Sequence, residues 1–307
     1  MEHLIEKANA FAGYSKEHEP VLRVQPGAGD LITFETDDEA YAQMEQFRDL
    51  SKVTATMNPV TGPVYVEGAE PGDALAVTIH DIALSDFGWS IYIPGAGALA
   101  GRMGDEWYVK RVPIEGETVR LTDTVTCPIR PMIGCIGVAP AEGEMSTVMP
   151  SYPTGGNMDL TDACPGSTVF LPVEVEGAYL AIGDLHAVMS RGESSFVAIE
   201  VAGRATVSVD LVKGMVLRAP RVETPDEVVC VGLGNPVQDS IDHAYEDLFD
   251  VLTGEHGYSP QDAYTVMSAV AHTELGGPTG SESPDPLHPF RAVGQVTLAR
   301  IDKSFLN

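Results

Sequence analysis

The chain has 307 residues, of which 45 are acidic and 18 basic, for a net charge of −27. Such a field repels nucleic acid and anionic membranes and opposes an anionic substrate unless a metal or an arginine reverses it locally, whereas a small neutral substrate meets no barrier. The apolar fraction is ordinary for a globular protein, and no window approaches the run of about 18 apolar residues that would cross a bilayer.

The N-terminal stretch MEHLIEKANAFAGYSKEHEP is charged and lacks the apolar centre of a signal peptide, so a cytoplasmic location is expected. The length allows one large domain or two. We expect a single unit over 1–307, divisible into a β-rich part, 1–138, and a sandwich part with the site loop and C-terminal helices, 139–307. Cys127, Cys135, Cys164 and Cys230 form no C-x-x-C pair. Free thiols are expected rather than a cysteine zinc ribbon.

In chain order, PVLRVQPGAGDLITFET reads as two strands around a glycine-rich turn. DDEAYAQMEQFRDLSK is polar and helix-compatible, with Asp37 or Asp38 as the cap. PVYVEG and ALAVTIHDI are strands joined by AEPGD; His80 and Asp81 are adjacent there, so only one of them can face a given site. GWSIYIPGAGALAGRMG is a strand followed by a glycine-rich loop without the Gly-Lys-Ser/Thr ending of a phosphate-binding loop. From 107 to 138 short strands separated by turns recur, which predicts a mainly β sandwich or barrel.

Residues 139–168 are irregular and rich in Gly, Pro, Ser and Thr, and carry Glu142, Glu144, Asn157, Asp159 and Asp162. A long irregular segment inside a compact unit is usually functional or mobile. Strands resume and run to about residue 230. PVQDSIDHAYEDLFDVLTG then places Ile241, Ala244, Tyr245, Leu248, Phe249 and Leu252 on one helical face. SPQDAYTVMSAVAHTELGG predicts a second helix with Ser259 as cap, Pro260 at its first position and Gly276 as its stop. A Pro-rich loop over 277–290 and a final strand in AVGQVTLARI complete the chain.

The chemistry concentrates in AYLAIGDLHAVMSRGESSFVAIEV, residues 178–201. Asp184 and His186 are two apart, so in extended backbone they share a face, and Glu193 follows after a turn. Asp, His and Glu suit a zinc-type ion; a carboxylate in such a loop is otherwise a common turn former. Other signatures are missing: no G-x-S-x-G elbow, no H-E-x-x-H helix, no dinucleotide fingerprint and no Walker motif. Cys135 lies in the apolar run IGCIGVAP, where buried thiols are mostly inert. What remains is a metal held by Asp and His, with Glu142 as the group that moves protons.

At these residues the chain resembles the acetamidase/formamidase family. The segments are NPVTGPVYVEGAEPGD, IGVAPAEGE, TGGNMDLTDACPGSTVFLPVEVEGAYLAIGDLHAVMSRGE and AIEV, in this order, over roughly residues 55–275. The resemblance implies a jelly-roll-like β-sandwich, hydrolysis of short amides to carboxylate and ammonia, and a divalent metal, with zinc expected and calcium or ferrous iron as alternatives. It supports Asn157, Asp159, Asp184, His186 and Glu193 as site positions, and also Glu142. His80 is the other imidazole available to the metal. The expected partners are a small neutral amide and a second copy of the chain in a homo-oligomer. Many family members follow GDxH with small residues, Gln and GDGE, where this chain has AVMSRGE; Arg191 therefore either alters the pocket or lies outside it. Two other classes are a non-catalytic metal or small-molecule binding protein and a cupin-like metal oxygenase, which would need a second His beside His186.

Overall fold

In the computed structural model, residues 1–148, 152–277 and 295–306 are described. The protein is mainly β and sandwich-like, built on two large sheets, and neither closes into a barrel. The nine-stranded sheet has Glu2–Ile5 at one edge. It continues through Leu31–Glu35, Gly203–Val212, Ala74–Leu84, Thr168–Pro172, Arg221–Glu223, Glu227–Gly234 and Gln295–Asp302 to His272–Gly276. The second sheet runs from Thr126–Pro128 through Thr118–Arg120, Tyr108–Glu115, Phe87–Tyr92, Glu200–Val201, Leu180–His186 and Met132–Gly137 to Gly155–Asn157, with Val60–Val66 paired to Leu180–His186. Both sheets draw strands from before and after residue 138.

The core lies between the sheets. Ile32, Phe34, Leu75, Val77, Val169 and Val207 of one meet Val64, Ile133, Ile136, Leu180, Ile182 and Leu185 of the other, and all are buried. Burial of so many branched side chains is the main stabilising term, at about 25 cal/mol per Å² of apolar surface. Val60–Val66 is buried at every position, whereas Leu31–Glu35 alternates between buried and half-buried residues.

Helix Val237–Asp250 packs Ala244 and Leu248 against Val228, Cys230, Ala299 and Ile301 on the outer face of the nine-stranded sheet, with Tyr245 and Phe249 alongside. Helix Pro260–Val270 starts as expected: the Ser259 hydroxyl accepts from the Asp262 amide and Pro260 occupies the first turn. It does not reach Gly276. The chain leaves helical geometry at Ala271, and His272–Gly276 pairs antiparallel with Gln295–Asp302 as an edge strand. The sheet edge offers these residues a full ladder of hydrogen bonds, which outweighs their helical propensity. The expected Pro-rich loop lies, from 278 onward, outside the described residues. Among the described residues no helix is long and apolar enough to cross a membrane.

Candidate metal centre

Two strand pairings of the second sheet assemble the site. His186 sits directly across from Glu200, and Met132–Gly137 runs along the other side of Leu180–His186 with Cys135 opposite Gly183. Directly opposed antiparallel residues point to the same face. That brings His186 Nε2 to 3.1 Å from Glu200 Oε2, and it lies 3.4 Å from Asp184 Oδ1 and 3.8 Å from Asp159 Oδ1. The side chains of these four residues are at most 4% exposed. Glu193 joins from the turn after the strand; Asp159, His186 and Glu193 form one candidate ligand group, and Asp184, His186 and Glu200 a second that shares the imidazole.

The backbone is bent to make this possible. Asp159, Asp184 and Glu193 have φ of 44°, 58° and 35°, in the left-handed region that non-glycine residues seldom occupy. Asp184 thus leaves regular extended geometry and swings its carboxylate over Gly134. A Cβ at Gly134 would lie 2.4 Å from Asp184 Oδ2 and 2.7 Å from Asp159 Oδ1, so only glycine leaves room for both carboxylates.

Four carboxylates therefore surround one imidazole in a buried space. Among the described residues no lysine or arginine pairs with them. The electrostatics follow. Burial, and then the Asp184 charge, push Asp159 well above the usual carboxylate range. Burial and then Asp159 do the same to Glu193. Burial also raises Glu200, with His186 opposing it. For Asp184, burial is outweighed by His186, and the carboxyl stays below its ordinary value. Burial would lower His186, but Glu200 and Asp184 more than reverse it and hold the imidazole well above its usual range. Asp159 Oδ1 and His186 Nδ1 are buried without a hydrogen-bond partner.

A layer of polar side chains surrounds this centre. Asn58 Nδ2 donates to Asp184 Oδ2 at 3.2 Å and to the Thr147 carbonyl at 3.0 Å. Tyr41, on helix Glu39–Phe47, places its hydroxyl 3.1 Å from both Asn58 Oδ1 and Glu200 Oε2. A small cavity lined by Asp37, Tyr41, Asn58, Pro59, Asp184 and Glu200 reaches the cluster, with about 10 Å³ for the centre of a water-sized molecule. That is room for roughly one water. The Cys135 thiol donates toward the Thr147 carbonyl at 3.3 Å and lies 3.5 Å from Asp184 Oδ2. Burial, and then Asp184, push it well above the ordinary thiol range.

Of the residues proposed from sequence, the structure brings together Asp159, Asp184, His186 and Glu193. Asn157 is buried nearby, opposite Cys135. His80 is not part of the cluster: it is exposed on the nine-stranded sheet, with Nε2 2.8 Å from Ser208 Oγ. Glu142 is exposed on a turn whose Ala141 is held by Lys16 and Glu174, so it does not share the buried space. Arg191 lies outside the cluster as well, paired with Asp162 at 2.6 Å and with Glu274 at 2.9 Å. Sequence reasoning missed Glu200 as a member of the cluster, although it is the one acidic residue within the apolar run SFVAIEV. A carboxylate in a buried strand needs a partner, and that was its signal. The second imidazole that a two-histidine, one-carboxylate oxygenase site requires is not found beside His186 among the described residues.

The chain also matches known proteins. The model of the acetamidase/formamidase family matches residues 6–147 and 141–277. The chain is 28% identical to an acetamidase of Mycolicibacterium smegmatis over 67% of each protein. It is 26% identical to a formamidase of Methylophilus methylotrophus, over 71% of this chain and 64% of that protein. The chain spans 60–67% of the length of the curated relatives it matches. The structure of an acetamidase of Bacillus halodurans superposes with a TM-score of 0.84 at 30% identity, covering 98% of each chain.

Proposed function

The chain belongs to the acetamidase/formamidase family, and from that premise we propose that it hydrolyses short linear amides to a carboxylate and ammonia with a divalent cation held by the buried cluster. The observation that carries this reading is the convergence of four buried carboxylates on one imidazole, with no lysine or arginine among the described residues paired to them. The residues fit a cation. Within each of two overlapping ligand groups the donor atoms lie within 4.8 Å of one another, and Asp159 Oδ1 and His186 Nδ1 have no hydrogen-bond partner among the described residues. Asp159, Asp184, His186 and Glu193 would hold it, with Glu200 beside them. Zinc is the ion we propose, and calcium and ferrous iron are the ions to compare with it. When bound, such an ion supplies Lewis acidity to the amide carbonyl and to water.

The chain's own residues supply the rest. In the reaction the oxygen of water bonds to the carbonyl carbon, the C–N bond breaks, and a proton given up by water goes to nitrogen. The poor leaving amine makes that transfer indispensable. Glu200 is the residue we assign to it. Its carboxylate lines the small cavity and touches both His186 Nε2 and the Tyr41 hydroxyl. A neutral amide enters this acidic site without repulsion, and the carboxylate product is pushed out of it.

The Cys135 thiol is structural on this reading. Cys135→Ala is expected to keep ammonia release within about tenfold and to lose about 1–2 kcal/mol of stability in a urea melt, in line with small core truncations. A folded Cys135→Ala protein with no turnover would make the thiol the nucleophile. The reading as a whole is tested by metal analysis of the purified protein together with ammonia release from formamide, acetamide, propionamide and urea. A protein that binds a divalent ion and releases no ammonia from any of them would be a binding protein.

A further inference from the structure

Beside the cluster, three polar side-chain atoms are buried without a hydrogen-bond partner among the described residues: Tyr14 Oη, Thr147 Oγ1 and Asn157 Oδ1. Their residues are 1%, 0% and 4% exposed. A buried hydroxyl or amide oxygen left unpaired is costly, and native proteins carry few of them. Several in one place call for an occupant.

The three gather around Cys135. Asn157 is its cross-strand partner and so projects on the same face. Gly137 is two residues further along that strand, on that face. A Cβ at Gly137 would come within 3.1 and 3.2 Å of Tyr14 Cε1 and Cζ, so the phenol ring lies directly over it. Tyr14 and Cys135 pack in one small buried cluster with Val60, Met145 and Ala181. Thr147 is anchored there by its own carbonyl, which accepts from the Cys135 thiol and from Asn58 Nδ2. Asn157 Nδ2 donates to the Val148 carbonyl at 3.0 Å, which fixes Oδ1 as the end left free. The Cys135 thiol links the group to Asp184.

We propose that Tyr14, Thr147 and Asn157 form the substrate subsite and take the amide group of a short primary amide. The two hydroxyls are donors for the carbonyl oxygen, and Asn157 Oδ1 is an acceptor for the NH₂ group. A primary amide presents one strong acceptor and two donors, which this set complements. The inference rests on the amide-hydrolase reading and extends it to residues that the cation does not need.

Tyr14→Phe and Thr147→Val keep shape and remove one hydroxyl each, so they test the subsite without opening a cavity. Each variant is compared with the wild-type protein in ammonia release from acetamide, divalent-ion content and thermal midpoint. The subsite predicts kcat/KM reduced about ten- to hundredfold, as for loss of a hydrogen bond to a buried polar ligand, with ion content unchanged. It also predicts a thermal midpoint that is unchanged or higher, because an unpaired buried hydroxyl has been removed. A purely structural role predicts the reverse: a lower midpoint and unaltered kcat/KM. Unaltered kcat/KM in both variants, with an active wild type, overturns the subsite alone. A wild type that releases no ammonia overturns the hydrolase reading and the subsite with it.

Discussion

Replacing His186 with alanine is expected to abolish both divalent-ion binding and ammonia release. His186 is the only residue common to the two candidate ligand groups, and it lies within 3.8 Å of three carboxylates. Loss of a mere supporting hydrogen bond around a metal typically costs about 10–100-fold in affinity. Loss of the shared ligand should cost at least the upper end of that range. The substitution also leaves buried carboxylates without the imidazole they face, and removing one partner of a buried pair costs about 3–5 kcal/mol. The measurement must therefore pair ion content with circular dichroism, so that an unfolded variant is recognised. A folded His186→Ala protein with full ion occupancy would put the ion elsewhere.

Glu200→Gln is expected to retain the ion and to slow ammonia release by roughly 10²–10⁴, the usual effect of removing a general acid–base. The amide can still accept from the Tyr41 hydroxyl, which lies 3.1 Å from Glu200 Oε2, and it keeps the side-chain volume. It cannot take a proton from water and return it to nitrogen. Glu142→Gln serves as the comparison. Glu142 is exposed and outside the buried cluster, so its variant should turn over at the wild-type rate. If Glu142→Gln is the slow protein and Glu200→Gln is not, the proton route runs through the turn after Ala141 rather than through the strand pair.

The site was legible in the sequence where local geometry alone decides. Asp184 and His186 stand two apart at the end of an apolar run, and strand alternation puts both on one side. Even there the structure adds what spacing could not supply: Asp184 is left-handed, and its carboxylate has room only because residue 134 is glycine. Glu200 was legible in principle, as a lone acid in an apolar run. Its role depends on being opposite His186, a pairing register that no local pattern encodes. His80 and Glu142 were drawn in by residue type. His80 lies in a strand of the other sheet and pairs with Ser208, while Glu142 is turned outward. The same limit explains Tyr14 and Tyr41. One lies in a charged N-terminal stretch and the other on a polar helix, and only the tertiary fold carries them to the site. For the fold, the mainly β architecture followed from short apolar runs between turns, which fit a sandwich or a barrel alike. The second C-terminal helix was read too long because its last residues had a sheet edge available to them.

The central claim is that the buried acid–imidazole cluster holds a divalent ion that amide hydrolysis requires. The most direct measurement is ammonia release from formamide and acetamide by the wild-type protein before chelation, after chelation and dialysis, and after zinc, calcium or ferrous iron is restored. The account predicts turnover that falls by at least about a hundredfold on removal and returns with one of these ions in proportion to its occupancy. Undiminished turnover by a protein whose ion content has been measured as nil would contradict it.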